Sequence, residues 1–397
     1  MIGKVHAMSP APERRSILVT CAREIPPYLR QEVTALGLPL CSELATGIAT
    51  EGTLEDAMKL NLFVRTGHRV LVLITDVTAR TADELYRGIS DIAWERYIEP
   101  GGYFTVTSSV NNPSIRDSRF ANVRCKDAIA DRFLRLTGRR PDSGPQRKGV
   151  VIYLYWAKDR CSVYLDSSGE SLSRRGYRKI PLAAPLQETL AASLILASGW
   201  SGNGNFINPM CGSGTLAIEA ALIALNRAPG LLRNNFGFMH IPGFRKAAWT
   251  KLRNTTNRQS RKRCDARIIA SDINPRAIEA ARKNARTAGV EHIIEFSVSD
   301  YADTMVPDGA GIIMVNPEYG ERMGDVGALQ ETYRGIGNFF KGTCPGYRGY
   351  IFTGNLVLAK QVGLRTKRRI PFYNGSIECR LLEYELYRGS KKTAAHP

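Results

Sequence analysis

Residues 205–222, with the sequence NFINPMCGSGTLAIEAAL, decide the fold. The apolar run NFIN is followed by PMCGSG, which contains Gly212 and Gly214, and then by an apolar segment that begins at Thr215. This order of strand, glycine loop and helix is typical of nucleotide-binding α/β folds, because glycines let the backbone turn tightly and lie close to a ligand. We expect Thr215 to cap the helix and the first helical N–H groups to face the ligand.

The loop lacks the features of two common phosphate-binding motifs. A Walker loop needs G-x-x-x-x-G-K-[ST], and a dinucleotide fingerprint needs a third glycine and an acid about 20 residues further on. The next acid at a strand end is Asp272 in RIIASDIN, which follows an insertion containing FGFMHIPGF and NRQSRKR. An acid at this position accepts hydrogen bonds from ribose hydroxyls. Asp300, which ends FSVSD, is placed either to meet an adenine edge or to face solvent as an ordinary acid.

A glycine loop and two strand-end acids without a pyrophosphate clamp predict S-adenosylmethionine as the cofactor. A simple tight turn is the alternative explanation of the two glycines. The expected cofactor-binding residues are Asn208, Pro209, Cys211, Gly212, Gly214, Thr215, Asp272, Ile273 and Asp300.

A second motif follows a later strand, where GIIMV runs into Asn316-Pro317-Glu318-Tyr319. Ligands of open α/β sheets bind at the carboxyl ends of the strands, so we expect this motif beside the glycine loop. Methyl transfer to a base amine needs acceptors for the amine N–H groups, since the nitrogen lone pair is delocalised into the ring. The Asn316 side-chain oxygen and the Pro317 carbonyl suit that role, and Tyr319 suits stacking on a flipped-out base. An ordinary Asn-Pro turn is the alternative.

The pattern of apolar segments divides the chain into two halves. From about residue 186 onward, helices alternate with unbroken apolar strands, which predicts an α/β, Rossmann-like, mostly parallel sheet. RRIPFYNGSIECRLLEYELY predicts a terminal antiparallel hairpin that turns at Asn374-Gly375. Residues 16–168 alternate short strands and helices, which predicts an α+β region.

The chain is strongly basic, with 55 Lys+Arg against 37 Asp+Glu in 397 residues and a formal net charge of +18. Such charge favours a polyanion as partner, and charge alone leaves RNA, DNA and an acidic membrane surface open. We expect RNA phosphate contacts from a predicted linker, from the insertion and from the segment before the hairpin, near the carboxyl-end edge. The residues are Arg174, Arg175, Arg178, Lys179, Arg258, Arg261, Lys262, Arg263, Arg365, Lys367, Arg368 and Arg369.

The eight cysteines are scattered without a C-x-x-C spacing, which argues against zinc sites and redox dithiols, so no metal is expected. The first residues, MIGKVHAMSPAPERRS, lack an apolar signal segment, and no run of about 18 apolar residues occurs. We therefore expect a cytoplasmic protein without a membrane partner. The oligomeric state stays open.

Several motifs together resemble a known family. NPMCGSGTLAIEAALIALNRAPGL, ASDINPRAIEAARKNA, NPEYGERMG and FYNGSIECRLLEYELY are similar to the THUMP-containing class I methyltransferases that modify guanine N2 in 23S ribosomal RNA, the RlmL type. GTLEDAMKLNLFVRTGHRVLVLI and LDSSGESLSRRGYR resemble the ferredoxin-like and THUMP regions of that family. The resemblance spans about residues 16–388 and implies S-adenosylmethionine as cofactor, RNA as partner and guanine-N2 methylation as activity.

The residue pattern and the resemblance together imply a division of the chain, with the linker and the tail taken from the residues and the ferredoxin-like and THUMP parts from the resemblance. They give a disordered N-terminus (1–15), a ferredoxin-like part (16–57), a THUMP RNA-binding domain (58–168), a basic linker (169–185), a methyltransferase domain (186–389) and a disordered tail (390–397). We expect the second methyltransferase that is fused to some family members to be absent.

Two positions depart from the family motifs. Asn208 stands where an Asp usually begins the glycine loop, and Glu318 replaces the second proline of Asn-Pro-Pro-Tyr. Two other functions therefore stay open. One is methylation of tRNA guanine or of another base amine, and the other is a non-catalytic RNA-binding ribosome-assembly factor.

Overall fold

A computed structural model describes residues 13–113, 115, 117–180, 186–319 and 326–387, so most of the predicted disordered segments lie outside the described residues. Two sheets dominate. The strands are β1 (Arg15–Thr20), β2 (Ser42–Leu44), β3 (Gly47–Gly52), β4 (Arg69–Thr78), β5 (Tyr103–Asn111), β6 (Asp142–Ser143), β7 (Val150–Ala157), β8 (Arg160–Asp166), β9 (Asn205–Pro209), β10 (Ile268–Asp272), β11 (Ile294–Val298), β12 (Gly311–Val315), β13 (Arg348–Thr353), β14 (Arg368–Asn374) and β15 (Ile377–Glu385). The helices are α1 (Pro26–Ala35), α2 (Leu54–Phe63), α3 (Ala82–Ser90), α4 (Ser118–Thr137), α5 (Glu188–Ala197), α6 (Thr215–Ala224), α7 (Lys246–Gln259), α8 (Pro275–Ala288), α9 (Val326–Thr343) and α10 (Leu356–Lys360).

The N-terminal sheet is continuous and has the strand order β2-β3-β1-β4-β8-β7-β5-β6. The long strand β4 joins its two parts, because it pairs antiparallel with β1 on one side and with β8 on the other. The predicted boundary between residues 57 and 58 falls inside α2, whose start is fixed by a reciprocal capping box of Thr53 and Asp56. The chain therefore continues through that position as one helix.

The C-terminal sheet has the strand order β11-β10-β9-β12-β13-β15-β14. Neighbouring strands from β11 to β13 pair in parallel, and β15 is antiparallel to both β13 and β14. This confirms the predicted Rossmann-like sheet with an antiparallel terminal hairpin. The strand order reverses between β9 and β12, so a crevice opens at their carboxyl ends.

The hairpin turn lies one residue later than predicted. Asn374 is the last residue of β14 and pairs with Ile377 of β15, which leaves Gly375 and Ser376 as the two turn residues. Gly375 has φ +63°, whereas Asn374 keeps a strand conformation. The side chain of Asn374 therefore extends from a strand rather than from the turn itself.

The insertion between α6 and β10 packs against the N-terminal half. The Phe238 N–H donates to the Ser167 carbonyl at 3.0 Å, and the Arg233 guanidinium donates to the Ser171 carbonyl at 2.7 Å. Gly230 lies so close to the other half that an added Cβ would come 2.6 Å from Leu62 Cα. The sequence indicated an insertion, and the structure places it in the interface between the two halves.

The predicted linker is also packed between the halves, at least through residue 180. The Arg175 side chain is 1% exposed and forms an ion pair with Glu219 of α6, which is 0% exposed. Its guanidinium also donates to the carbonyl oxygens of Leu172 and Arg65, and the Tyr177 hydroxyl donates to Glu219 at 3.1 Å. The expectation that Arg175 binds RNA is wrong, because its guanidinium is buried and is bonded to Glu219 and to two backbone carbonyls.

We expect Arg175→Ala to lower the free energy of unfolding by about 3–5 kcal/mol, since it leaves the buried Glu219 carboxylate without its cation. The matched control is Arg174→Ala, because the Arg174 side chain is 78% exposed and forms a surface ion pair with Glu170. That control should change stability by less than about 0.5 kcal/mol. Denaturant unfolding of both variants measures the difference, and equal losses would contradict the assigned role.

Candidate active site

The glycine loop begins where β9 ends and turns into α6. Gly214 is the N-cap of α6 with φ +80°, and an added Cβ would lie 2.9 Å from the Ala281 methyl of α8. Gly212 has φ +54°, and no atom of the described part of the chain lies within 4 Å of where its Cβ would be. The two glycines therefore serve different purposes, because Gly214 allows two helices to pack closely and Gly212 leaves room beside the loop.

Asp272 holds the loop in place from the end of β10. One carboxylate oxygen accepts from the Gly212 N–H at 2.9 Å, and the other accepts from the Asn274 N–H at 2.9 Å. The Cys211 N–H donates to the Ser271 carbonyl at 2.9 Å, and burial raises the pKa of the Cys211 thiol. A carboxylate has about four lone-pair sites, so Asp272 keeps acceptor capacity for a ligand.

The start of α6 has no side-chain cap. Thr215 does not cap the helix as predicted, because it is the first helical residue and its hydroxyl accepts from the Arg178 guanidinium at 3.2 Å. Arg178 also pairs with Glu188 and donates to the Leu186 carbonyl, so its assignment to RNA binding is corrected. The N–H groups at the start of α6 stay available to a ligand in the crevice.

Apolar side chains flank the acids at the carboxyl ends of β10 and β11. Ile273 is 69% exposed directly after Asp272, and Val298 is 53% exposed two residues before Asp300. Asp300 caps a short 3-10 turn by accepting from the Ala302 N–H at 2.9 Å. Val298 was not predicted as a site residue. A valine that ends a strand two residues before an acid is nevertheless a sequence pattern that could have indicated it. The two apolar side chains suit the faces of a flat ligand.

Asn208 connects the glycine-loop strand to its neighbour. It is fully buried, and its side-chain Nδ2 donates to the Met314 carbonyl of β12 at 2.9 Å. Its Oδ1 has no hydrogen-bond partner among the described residues. A buried acceptor without a partner is costly unless a ligand satisfies it.

Asn316 lies at the end of β12, on the other side of the crevice from the glycine loop. Its Oδ1 is the second buried acceptor of this edge that lacks a partner within the described part of the chain. Pro317 is buried, Glu318 is exposed and Tyr319 is half-buried. The structure thus brings the glycine loop close to the motif Asn316-Pro317-Glu318-Tyr319, although the two lie about a hundred residues apart in the sequence.

The buried side chain of Asn284 binds the glycine loop, and this role was not predicted from the sequence. The Asn284 Nδ2 of α8 donates to the Ser213 carbonyl at 3.1 Å, while its Oδ1 accepts from the Lys179 N–H at 2.8 Å. Asn284 therefore links the glycine loop to the segment between the two halves. No local pattern in a helix that reads PRAIEAARKNARTA separates this asparagine from a surface one.

The other predicted basic clusters lie at the opposite edge of the sheet. β14 runs parallel to β13, so Arg365, Lys367, Arg368 and Arg369 stand where the parallel strands begin. The expectation that they lie near the carboxyl-end edge is wrong, because β14 runs in the same direction as β13 and these residues stand at or before its start. Lys367 pairs with Glu385 and Arg368 with Glu383.

Arg261, Lys262 and Arg263 are exposed and precede the start of β10. Of the predicted RNA contacts, Arg174 and Lys179 are exposed in the segment between the halves.

Within the described residues, no helix is long and apolar enough to cross a membrane.

Comparison with known proteins agrees with this arrangement. The RlmL ferredoxin-like domain matches residues 16–71, the THUMP domain matches residues 79–166, and the RMKL-like methyltransferase domain matches residues 175–383. Ribosomal RNA large subunit methyltransferase K/L of Syntrophotalea carbinolica is 37% identical over 381 residues, which cover 92% of this chain and 53% of that protein. The putative RNA methyltransferase slr0064 of Synechocystis is 35% identical over 373 residues, covering 94% of this chain and 97% of that protein.

A solved structure extends the likeness to the whole fold. SMU.472, described as a putative methyltransferase complexed with SAH, superposes with a TM-score of 0.86 at 29% identity, covering 96% of this chain and 100% of that one. The chain spans about half the length of the K/L relatives it matches. Since the three domain matches follow each other along one chain and the crevice carries both predicted motifs, the protein belongs to the family of THUMP-containing proteins with an RMKL-like methyltransferase domain.

Proposed function

We propose that this protein is an RNA methyltransferase that transfers the methyl group of S-adenosylmethionine to the exocyclic N2 amine of a guanine in 23S ribosomal RNA. The observation that carries the proposal is the buried Asn316 Oδ1, an acceptor that lacks a partner among the described residues and lies across the crevice from the glycine loop. The names of the K/L relatives and the THUMP match support RNA of the large ribosomal subunit as the substrate class.

The crevice beside the glycine loop fits S-adenosylmethionine. The uncapped start of α6 and the open space beside Gly212 suit its methionine carboxylate, and Asp272 suits its ribose hydroxyls. Ile273 and Val298 suit the two faces of adenine, with Asp300 at the adenine edge. When bound, this cofactor supplies an electrophilic methyl group on a sulfonium.

Asn208 fits the methionine ammonium despite replacing the usual Asp. Its Nδ2 is held by the Met314 carbonyl, so its Oδ1 is fixed in one orientation and is free to accept from an ammonium group. An aspartate in the same orientation would place a second acceptor against that carbonyl. The amide therefore exchanges some electrostatic attraction for a direct link between β9 and β12.

Asn316 Oδ1 and the Pro317 carbonyl are proposed to accept the two N–H groups of the target amine. This contact draws the nitrogen out of conjugation with the ring and directs its lone pair outward. No strong general base is needed, because the nitrogen becomes acidic only after alkylation and then loses its proton to water. Tyr319 is proposed to stack on the flipped-out base.

Glu318 favours guanine over the other bases with an exocyclic amine. Guanine carries an N1–H donor beside its N2 amine, and an exposed carboxylate next to the amine acceptors can accept from it. Adenine and cytosine present a ring acceptor at the corresponding position, which a carboxylate would repel. The substitution of the second motif proline by Glu318 is therefore compatible with methylation of guanine.

The direct test is methyl transfer from labelled S-adenosylmethionine to unmodified 23S ribosomal RNA and to bulk tRNA, followed by nucleoside analysis. We expect N2-methylguanosine in the ribosomal RNA. Asn316→Ala should lower the rate by roughly 10²–10³-fold, the usual effect of removing one group that stabilises a transition state, with cofactor affinity unchanged. Asn316→Asp keeps an acceptor oxygen and should retain more activity than Asn316→Ala.

The other outcomes point to the two alternatives. Product in tRNA alone would favour a tRNA methyltransferase, and RNA binding without product on either RNA would favour a non-catalytic assembly factor. Substantial transfer by Asn316→Ala would refute the role of this side chain.

The two loop glycines should separate stability from cofactor binding. Gly214→Ala should lower the free energy of unfolding by about 2–4 kcal/mol, the sum of a left-handed backbone and an overlap with Ala281. Gly212→Ala should cost only about 1–2 kcal/mol, because its Cβ meets no atom of the described residues within 4 Å. It should nevertheless weaken S-adenosylmethionine binding by about tenfold or more, measured by calorimetry. Unchanged affinity in Gly212→Ala would place the ligand elsewhere.

Arg365 and Arg369 are exposed at the edge of the C-terminal sheet where the parallel strands begin, which we call the amino edge. They are proposed to contact RNA phosphates away from the reacting base. The double variant Arg365→Ala/Arg369→Ala should reduce the slope of log affinity against log salt by about 1.4–1.8, since each phosphate contact contributes about 0.7–0.9. Its rate at saturating RNA should stay unchanged. Arg286→Ala, an exposed arginine that pairs with Glu291, is the matched control. A slope equal to that of the unmodified protein would remove this edge from the RNA-binding surface.

A further inference from the structure

We propose that Asn374, at the tip of the terminal hairpin, positions Tyr319 for base stacking by holding its phenolic hydroxyl. This inference rests on the function proposed above. In this scheme Tyr319 contacts the base, and Asn374 acts only through Tyr319. The hairpin would then be part of the substrate site as well as the closing edge of the sheet.

The hydroxyl of Tyr319 is held by the hairpin. Asn374 Nδ2 donates to it at 2.8 Å. Burial raises the pKa of the Cys379 thiol on β15, and a hydrogen bond from Tyr319 opposes that rise. The Asn374 amide on β14 thus meets the phenolic oxygen and fixes the outer end of the Tyr319 side chain.

The ring itself is confined by the end of β13. An added Cβ at Gly354 would lie 3.2 Å from both Cδ2 and Cε2 of Tyr319 and 2.9 Å from the Ile377 side chain. Only a residue without a side chain lets the ring lie this close to the backbone. Asn355 Nδ2 also donates to the Tyr319 carbonyl at 3.5 Å. Tyr319 is therefore held at its backbone, along its ring and at its hydroxyl.

The strand directions explain why the hairpin reaches this place. β14 is parallel to β13, so Asn374 and Thr353 both end their strands at the carboxyl edge, where Asn316 directly follows β12. The turn begins only at Gly375, so Asn374 remains in the strand. The sheet holds the backbone of a strand residue at this edge, so its side chain leaves from a fixed position. The backbone of a turn residue is not held in this way.

Fixing the ring before the base arrives has a direct kinetic value. A stacking side chain that is already in its bound rotamer does not lose conformational entropy on binding, and a misplaced one lowers the rate by disturbing the approach of the amine. The hydroxyl has no chemical step in the proposed transfer. Its hydrogen bond to Asn374 gives a reason for tyrosine rather than phenylalanine at position 319.

A double-mutant cycle tests the inference. Tyr319→Phe removes the acceptor and Asn374→Ala removes the donor, so each should lower the single-turnover rate at saturating RNA and cofactor, by about tenfold for a displaced stacking ring. The double variant should be no slower than the slower single variant, because both changes remove the same contact. Cofactor affinity and the unfolding midpoint should stay close to those of the unmodified protein. Ser376→Ala, an exposed residue of the same turn, is the control and should not change the rate.

The outcomes separate this inference from the proposed function. Transfer by the unmodified protein together with additive losses in the double variant would overturn the positioning role and leave the function intact. An unchanged rate in Tyr319→Phe would do the same, and it does not depend on how the hairpin folds in Asn374→Ala. Absence of transfer by the unmodified protein would overturn the function and the inference with it.

Discussion

The contact between β9 and β12 fixes the relative position of the two sequence motifs that line the crevice. These strands lie side by side where the sheet order reverses, so the loop after one and the motif after the other face a single crevice. The Asn208 amide reinforces this contact by donating to the Met314 carbonyl, two residues before Asn316. Two buried acceptors that have no partner among the described residues, Asn208 Oδ1 and Asn316 Oδ1, flank this contact. If both oxygens stayed without a hydrogen-bond partner, each would destabilise the folded protein by its desolvation penalty. The two acceptors therefore indicate a ligand on each side of the contact.

A second constraint holds the two halves together. The Arg175–Glu219 ion pair is buried and connects the segment after β8 to α6, the helix that follows the glycine loop. The insertion adds backbone contacts that require glycine at positions 230 and 237, where any side chain would meet the other half. The two halves cannot slide past each other here, because each contact depends on the close approach of two backbones. An RNA held by the N-terminal half would thus meet the crevice at a defined distance and angle.

The direction of each strand decides which surfaces serve the crevice. The terminal hairpin brings its tip to the carboxyl edge and the basic residues before it to the amino edge. Asn374 thereby reaches Tyr319, whereas Arg365 and Arg369 lie away from the reacting base. Charge at the far edge can still bind a long RNA, since phosphate attraction needs no particular base. Under the proposed function, the two ends of one hairpin would face different parts of a large RNA.

The sheet type, the glycine loop, the Asn-Pro motif after β12 and the family were predictable from the sequence alone, because they depend on short segments whose residue types the local turn or contact requires. The sequence-based predictions misplaced what depends on long-range packing. Arg175 and Arg178 look like surface charges in SLSRRGYRK, yet Glu219 and Glu188 draw them inward. Thr215 looks like a helix cap, yet Gly214 takes that position and the hydroxyl serves Arg178. The roles of Asn284, Gly354 and Asn374 follow only from the tertiary structure, since their partners are distant in the chain and leave no local pattern.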